Sequence, residues 1–329
     1  MILKSKFKPA LGLSNPHFQT MLPRFIRRKR NLEFHHETLE LDDGDFLDLA
    51  WTELSDEVKP IVLVFHGLEG SIESPYAHGI MSAIKKQGWK AVLMHFRGCS
   101  GRINRLPRSY HSGETEDAKQ LISYIKAHYP GAPLAAVGFS LGGNMLLKLQ
   151  AELGNKSPFL AAVSVSAPLI LNTCAIRLSK GFSRVYQNYL IAHMKKNLKS
   201  KARVHDYASL INLDTQQINR LNSFREFDDR VTAPLHGFKG VDDYYHKSSS
   251  RQYLKDIQAP TLVIQSLDDP FMSADVIPEK NELSNYTQLE ISQYGGHVGF
   301  IGGSLFKPAF WLERRIPEYL AEFINKAHQ

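Results

Sequence analysis

Short apolar runs alternate with amphipathic segments along most of this chain. Runs of four to six apolar residues between turn-forming residues are typical of strands buried on both faces of a parallel sheet. Amphipathic segments with a 3.6-residue period are typical of the helices that connect such strands. The predicted strands are 61–65, 90–96, 134–139, 159–166, 261–266 and 287–291, and the predicted helices are 75–87, 113–128, 142–153 and 307–326. The pattern predicts an α/β fold, with a mostly parallel central sheet flanked by helices.

Two parts of the chain depart from this alternation. Residues 36–41 and 46–51 flank the turn-forming sequence Asp42-Asp43-Gly44-Asp45, which predicts an antiparallel hairpin. Between residues 168 and 251 the strand pattern stops, and polar, helix-compatible sequence with scattered aromatic residues follows. We therefore expect a basic N-terminal arm over 1–30, an α/β core over 31–167 and 252–329, and an insertion over 168–251.

The most informative motif joins the strand 134–139 to the helix 142–153. It reads Gly138-Phe139-Ser140-Leu141-Gly142, and a G-x-S-x-G sequence between a strand and a helix is the context of a nucleophile elbow. The glycines permit a tight turn that lifts the serine hydroxyl clear of the sheet. Ser140 is the predicted nucleophile, and the backbone N–H of Leu141, at the start of a helix, is a predicted oxyanion donor.

A second oxyanion donor is predicted after the strand 61–65. His66-Gly67-Leu68 follows that strand, and His-Gly at this place is the pattern of the loop that supplies the second donor in α/β-hydrolases. The predicted donor is the backbone N–H of Leu68, paired with that of Leu141. We expect His66 to brace the turn and not to act as the general base.

The general base is expected late in the chain, because the order in this type of site is serine, acid, histidine. His297 lies in the sequence Gly295-Gly296-His297-Val298-Gly299, just after the strand 287–291. Glycines on both sides let such a loop bring an imidazole to a distant serine without obstruction. His297 is the predicted base.

The acid is expected between the serine and the histidine, at the end of another strand. Asp268 and Asp269 both follow the strand 261–266. Asp269 is preferred because Asp-Pro followed by two apolar residues is a frequent pattern here, and it fits Asp269-Pro270-Phe271-Met272. Asp268 remains an alternative, and the aspartate that is not the acid is expected to cap the loop.

A larger set of motifs, spread over nearly the whole chain, carries a family resemblance. They lie at 15–20, 66–71, 95–101, 138–144, 224–229, 267–270 and 295–300. On these motifs the chain resembles the bacterial YheT-like α/β-hydrolases, relatives of the eukaryotic α/β-hydrolase domain proteins 1, 2 and 3 and of yeast ethanol acyltransferase/esterases. The resemblance implies the α/β-hydrolase fold, a helical cap formed by the insertion over the active-site mouth, and esterase activity. It implies the mechanism strongly and the substrate weakly.

The resulting expectation is a serine carboxylic-ester hydrolase that acts through an acyl-enzyme on short- to medium-chain acyl esters or lipids. An acyltransferase or thioesterase with the same triad is an alternative. An alternative of a different class is an inactive hydrolase-fold scaffold that binds a ligand under the cap. The intact serine, acid and histidine argue against the scaffold, which has no need of all three.

Composition and motifs bear on the cellular location, cofactors and partners of the predicted enzyme. The sequence has no uninterrupted run of about 18 apolar residues, so a membrane-spanning helix is not expected. Its first residues lack the apolar stretch of a secretory signal. Cys99 and Cys174 are expected to be reduced thiols. The sequence has no zinc-site spacing, nucleotide-binding loop or nucleic-acid fold motif, so no metal, cofactor or nucleic-acid partner is expected. These features predict a cytoplasmic location, and the expected partner is the small-molecule acyl ester that the triad and the resemblance imply.

The positive net charge of +7 is concentrated in two segments. Residues 1–30 hold eight Lys/Arg and no Asp/Glu, and residues 169–205 hold the same numbers. The remaining chain has 24 basic and 33 acidic residues. One interpretation is peripheral contact with an anionic membrane, or with a negatively charged substrate, through the arm or the cap. The other is a solvated basic face, which is more common.

The insertion also carries a stripe of large side chains. Tyr186, Tyr189, Leu190 and Met194 fall at helical spacing, and Phe182 precedes them. They are predicted either to line an acyl pocket and set substrate choice, or to pack the cap onto the body.

Overall fold

A nine-stranded sheet forms the centre of the protein. The computed structural model describes residues 1–27, 32–304 and 307–328. Within them the strand order is β1-β9-β8-β7-β6-β4-β5-β3-β2. The strands are β1 (Ile2–Lys4), β2 (His35–Glu40), β3 (Phe46–Trp51), β4 (Ile61–Phe65), β5 (Lys90–Met94), β6 (Leu134–Phe139), β7 (Phe159–Val165), β8 (Thr261–Ser266) and β9 (Thr287–Ser292).

Helices cover both faces of this sheet and fill the region between β7 and β8. They are α1 (Pro16–Met21), α2 (Pro23–Ile26), α3 (Ala77–Lys85), α4 (Glu116–His128), α5 (Leu141–Leu153), α6 (Leu171–Leu178), α7 (Ser183–Lys201), α8 (Tyr207–Ile211), α9 (Thr215–Arg220), α10 (Phe224–Phe227), α11 (Ala233–Leu235), α12 (Val241–Ser248) and α13 (Leu312–Ile324). A π-helical turn, Asp228–Thr232, separates α10 from α11. Short 3₁₀ turns lie at Gly154–Lys156, Arg251–Asp256, Ala274–Val276, Lys280–Glu282 and Asn325–His328.

The apolar runs form strands because both of their faces are buried. All five residues of β4 are buried, and alternate side chains of the strand point to opposite faces. Val62 and Val64 pack in one apolar cluster with α3 and α13, and Leu63 packs in another with α4 and α5. Burial of each such side chain contributes about 1.5–3 kcal/mol. The α/β architecture, with a mostly parallel sheet between helices, agrees with the prediction.

The antiparallel edge of the sheet is the predicted hairpin. β2 pairs with β3 in antiparallel orientation, and β3 in turn pairs antiparallel with β5. β4, β5, β6, β7, β8 and β9 pair in parallel. The carboxyl ends of the parallel strands therefore meet at one edge of the sheet, where a site is expected in such folds.

Part of the segment 1–30, predicted as a basic N-terminal arm, forms regular structure on the core. β1 adds to the far edge of the sheet, parallel to β9, and Phe7, Ala10 and Leu13 are buried. A three-residue strand and isolated apolar residues have no periodicity that a sequence pattern can show, whereas the lysines and arginines between them are conspicuous. Arg28, Lys29 and Arg30, at the end of that segment, lie outside the described residues.

The C-terminal segment also begins differently from the predicted helix over 307–326. β10 (Ile301–Gly303) and β11 (Pro308–Phe310) pair in antiparallel orientation, and α13 begins only at Leu312. Three residues of strand are too few to interrupt a helical pattern in a sequence window.

The region between β7 and β8 is helical throughout its regular elements. Side chains of α6, α7, α8, α9 and α10 form an apolar cluster of their own, against which Leu68 and Phe271 from the core pack. This cluster therefore lies over the loops at the carboxyl ends of the strands. We keep the boundaries 168–251 as a proposed cap insertion. Among the described helices, none is both long and apolar enough to cross a membrane.

Candidate active site

Ser140 lies on the sharp turn between β6 and α5. Its φ of 52° and ψ of −120° are rare for a residue with a side chain, so the backbone is strained there. A Cβ at Gly138 would lie 2.8 Å from Gly143 Cα, and one at Gly142 would lie 2.6 Å from Phe65 O. Only glycine fits at either position. The Ser140 N–H donates to Val165 O at 2.8 Å, which anchors the turn on the neighbouring strand.

The structure brings His297 and Asp269 to this serine. His297 Nε2 lies 2.9 Å from Ser140 Oγ, and His297 Nδ1 lies 2.8 Å from Asp269 Oδ2. The other carboxylate oxygen of Asp269 accepts the Phe271 N–H at 2.8 Å. The Phe271 ring stacks on the imidazole, with centroids 3.9 Å apart and planes inclined by 5°. Sequence reasoning gave Phe271 no role beyond its place in the motif after Asp269.

Asp268 lies beside this chain of hydrogen bonds but points elsewhere. Its Oδ1 accepts the N–H of Gly296 at 2.9 Å, and burial raises the pKa of its carboxyl group. Of the two candidate acids, therefore, Asp269 contacts the imidazole and Asp268 holds the backbone of the loop that carries His297.

Helix α1 supports the same loop from the other side. The His297 N–H donates to Thr20 Oγ1 at 2.9 Å, and Thr20 Oγ1 donates to Pro16 O at 2.7 Å. Gly296 has a φ of 55°, and a Cβ there would lie 2.6 Å from Pro16 O. Only a glycine allows α1 to approach so closely. No local sequence pattern indicated this contact, because it joins residues 277 positions apart.

The two predicted oxyanion donors lie at the wall of the same cavity as Ser140 and His297. Leu68 and Leu141 both line it. In the described part of the chain, neither N–H meets a protein acceptor. The N–H groups on either side of Leu68 are engaged, since Gly67 donates to Tyr76 Oη at 2.7 Å and Glu69 donates to the Tyr110 hydroxyl at 2.8 Å. The loop is thus fixed around a backbone N–H that is available to a ligand.

Glu69 links this loop to the cap. It has a φ of 53°, which side chains rarely adopt. Its Oε1 accepts from the Tyr110 hydroxyl at 2.9 Å, and its Oε2 accepts from the Asn197 amide on α7. Tyr110 therefore bonds both the backbone and the side chain of Glu69. Burial raises the pKa of the Glu69 carboxyl group, and the two hydrogen bonds oppose that rise.

His66 braces the turn from below. Its ring is buried, its Nε2 accepts the Phe96 N–H at 3.1 Å, and its Nδ1 lies 2.7 Å from Gly67 O. Nδ1 therefore carries the proton and donates it to the carbonyl. Burial lowers the pKa of His66 to about 3, so the ring stays neutral.

The cavity beside Ser140 has a volume of about 390 Å³. Of the predicted stripe, Leu190 and Met194 line the cavity. Tyr186 is buried outside that lining, with its hydroxyl 3.0 Å from His17 Nδ1, and Phe182 and Tyr189 are exposed. Leu190 and Met194 therefore line the cavity, as the first prediction requires, and Tyr186 packs inside the protein, as the second requires. Phe182 and Tyr189 lie at the surface.

A buried carboxylate that sequence reasoning missed also lines the cavity. Asp228 lies on the π-helical turn, where its two oxygens accept from Thr232 Oγ1 at 2.7 Å and from Tyr245 Oη at 2.8 Å. Burial raises the pKa of Asp228 to about 6. The sequence signal was the motif at 224–229, which carried the resemblance but no role.

One cluster of the described residues has the composition of a metal site. The ligand atoms of His111, Glu114 and His236 lie within 4.8 Å of one another. Two of them are already engaged, since Arg108 donates to the Glu114 carboxylate and the Gly113 N–H donates to His111 Nδ1 at 3.2 Å. Residue spacing along the chain gave no sign of this cluster, because the fold brings His236 from a distant part of the chain to His111 and Glu114.

Comparison with known proteins decides the family. The model of the alpha/beta hydrolase fold matches residues 60–304. The protein YheT of Escherichia coli (strain K12), whose name attributes esterase activity to it, is 49% identical over 323 residues, which cover 98% of this chain and 94% of YheT. The chain belongs to the α/β-hydrolase family, among its YheT-like members. It is a hydrolase.

More distant proteins agree with this assignment. Human phospholipase ABHD3 is 28% identical over 336 residues, which cover 100% of this chain and 81% of ABHD3. Among solved structures, the Pyrococcus furiosus esterase Pf2001 superposes with a TM-score of 0.56 at 15% identity, covering 98% of each chain. At that identity the likeness shows the fold alone.

Proposed function

We propose that this hydrolase is a serine carboxylesterase that acts through an acyl-enzyme on short- to medium-chain acyl esters or lipids. The observation that carries the proposal is the continuous hydrogen-bonded chain from Ser140 Oγ through His297 to Asp269, at the wall of a largely apolar cavity. A serine next to an oriented imidazole is the arrangement that generates a nucleophile.

In the proposed mechanism Ser140 Oγ attacks the acyl carbonyl carbon while His297 Nε2 accepts the serine proton. Asp269 holds the proton on His297 Nδ1 and stabilises the imidazolium that forms. The carbonyl oxygen becomes an oxyanion, which accepts from the N–H groups of Leu68 and Leu141. When the tetrahedral intermediate collapses, the ester C–O bond breaks and the alcohol leaves with the proton from His297.

Water completes the cycle by the same route. It attacks the acyl group on Ser140 while His297 accepts one of its protons, and the acid departs as the serine recovers its hydrogen. An alcohol in place of water would make the protein an acyltransferase, and a thioester substrate would make it a thioesterase. The observed geometry serves all three reactions.

The cavity supports the proposed substrate class. A volume of about 390 Å³ lies in the range of small-molecule sites, and the apolar side chains of Leu190 and Met194 suit an acyl chain. The name of the relative ABHD3, a phospholipase, supports acyl esters that include lipids. Cys99 and Cys174 are free, which a reducing compartment favours and which supports the proposed cytoplasmic location.

The proposal is tested by covalent labelling and ester turnover. A fluorophosphonate probe should label the wild-type protein, and Ser140→Ala should abolish both the labelling and the hydrolysis of p-nitrophenyl esters. Ser200→Ala is the matched control, because Ser200 also lines the cavity but donates to Lys196 O. Adding a short-chain alcohol to the assay separates transfer from hydrolysis. Labelling that persists in Ser140→Ala, or a wild-type protein with no esterase or transfer activity, would overturn the proposal in favour of another nucleophile or a binding scaffold.

A further inference from the structure

Helices α1 and α2 present an apolar face to solvent. Phe18, Met21 and Phe25 are exposed, and Phe25 is 74% exposed. Their spacing of three and four residues places them on one side of consecutive helical turns. Gln19, on the opposite side of α1, is fully buried. Such large apolar side chains on the outer face need an explanation when they occur together.

The start of α7 repeats this arrangement. Phe182, Val185 and Tyr189 are exposed and again three and four residues apart. Tyr186, between them, is buried and turns toward the protein. The solvent side of this helix therefore carries three large apolar side chains over its first two turns.

The two apolar faces lie side by side. The His17 ring of α1 contacts the Phe182 ring, with centroids 4.3 Å apart. The Arg24 guanidinium of α2 lies 5.3 Å from the centroid of the Tyr189 ring and donates to its hydroxyl at 2.5 Å. The six exposed side chains thus belong to neighbouring helices. We call them the apolar patch: Phe18, Met21, Phe25, Phe182, Val185 and Tyr189.

The two chain segments that carry the apolar patch have charges of one sign. The patch lies within residues 1–30 and 169–205, the two segments that hold sixteen Lys/Arg in total and no Asp/Glu. Arg24, Lys180 and Arg184 are exposed beside it. Exposed aromatic and aliphatic side chains in segments that hold cations and no acidic residue have the composition of surfaces that lie in the headgroup region of anionic bilayers.

We propose that the apolar patch docks on the surface of an anionic phospholipid bilayer. Charge complementarity favours this partner over a second copy of the chain, because two copies would bring cations against cations. Docking would place the membrane close to the site, since α1 holds the His297 loop through Thr20 on its inner side. The Tyr186 ring, on the inner side of α7, lies 5.0 Å from that of Phe271.

Flotation of the full chain with vesicles tests the proposal. Vesicles of phosphatidylcholine alone are compared with vesicles that contain about 30% phosphatidylglycerol, at low and at high salt. The wild type should bind the anionic vesicles, bind the zwitterionic ones at least tenfold more weakly, and dissociate as salt screens the charges. The double variant Phe25→Ser/Val185→Ser should lower the partition coefficient by at least about tenfold. Arg184→Gln should lower it by about fivefold.

Two controls separate docking from folding and from catalysis. Tyr286→Ser removes an exposed aromatic ring at the amino end of β9, whereas the patch is linked to the loop after the carboxyl end of that strand. This variant should bind like the wild type. The double variant should hydrolyse a soluble ester at the wild-type rate, which shows that it is folded. Ser140→Ala should bind vesicles normally, so this test is independent of the proposed activity.

Three outcomes would overturn the proposal. One is equal binding of the wild type to both kinds of vesicle, and another is an equal loss in Tyr286→Ser. The third is a concentration-dependent dimer in light scattering that the double variant abolishes without a change in vesicle binding. That outcome would assign the apolar patch to a contact between copies.

Discussion

Replacing Asp269 by Asn removes one charge from the site and leaves the size of the side chain unchanged. The amide oxygen would remain where Oδ1 accepts the Phe271 N–H at 2.8 Å, because turning the amide around would lose that hydrogen bond. The amide NH₂ would then replace Oδ2, 2.8 Å from His297 Nδ1. A donor at this place forces Nδ1 to accept, so Nε2 carries the proton and is unable to take another from Ser140.

The size of the effect follows from this tautomer. The wrong imidazole tautomer in a serine triad lowers kcat by about 10⁴-fold. Each factor of ten corresponds to about 1.36 kcal/mol, so a loss of 10³–10⁴-fold is a rise of about 4–5.5 kcal/mol in the activation barrier. Asp268→Asn is the matched control. Its amide oxygen still accepts the Gly296 N–H, and a neutral side chain suits a site that already raises the pKa of this carboxyl group.

The assay is kcat and KM for a p-nitrophenyl ester, with the melting temperature measured on the same preparations. Asp269→Asn should lose about 10³–10⁴-fold in kcat while remaining folded, and Asp268→Asn should lose less than about tenfold. If Asp268→Asn lost as much as Asp269→Asn at unchanged stability, or if Asp269→Asn kept most of its activity, the assignment of the acid to Asp269 would be refuted.

Three further variants test other parts of the site. Tyr110→Phe removes the two hydrogen bonds between Tyr110 and Glu69, beside the Leu68 N–H, and should lower kcat by about 10–100-fold with little change in KM. Met194→Ala enlarges the cavity and should shift kcat/KM toward longer soluble esters by about 1–3 kcal/mol, whereas Tyr189→Ala, outside the cavity, should not. Asp228→Asn should raise the free energy of unfolding at pH 7.5 by up to about 3 kcal/mol, as measured by urea denaturation.

The sign for Asp228 follows from proton linkage. With its folded pKa raised to about 6, the folded protein holds this proton more tightly than the unfolded chain. That stabilisation is complete at low pH and is lost as pH rises through about 6. The variant should therefore gain over the wild type at pH 7.5 and show no gain near pH 4. A gain that is independent of pH would contradict this account.

For Tyr110→Phe, a fall in stability together with a rise in KM would indicate a general structural role.

The central strands were predictable because each is buried on both faces. Such a strand reads as an unbroken apolar run, as 61–65 does, and its neighbours repeat the signal. The elbow at Ser140 was equally accessible, since the G-x-S-x-G sequence and the strand and helix on either side of it are all local. The strands, the loops that follow them and the functional residues at the strand ends could thus be predicted from local sequence.

Most of the contacts that sequence reasoning missed depend on distant parts of the chain. The helical period of 182–194 shows that one face of α7 is apolar, but not that Met194 meets the cavity while Tyr189 meets solvent. Likewise, nothing near Thr20 indicates His297, because the partner is 277 residues away. The Asp-Pro pattern favoured Asp269 over Asp268, but which carboxylate meets the imidazole depends on the rotation of each side chain, which a sequence does not contain.

The hydrogen bond from His297 to Thr20 also bears on how the molecule reaches its working state. Closing a loop of that length has an entropic cost that only late tertiary contacts offset, and contacts of high sequence separation form slowly. During refolding from urea, the far-ultraviolet circular dichroism signal should therefore recover before hydrolytic activity. Helices form from local contacts, whereas the loop that carries His297 is held in place only after α1 has packed against it. On the ribosome, by the same reasoning, Ser140 lacks its hydrogen bond to the imidazole until the residues around His297 have been synthesised and have emerged.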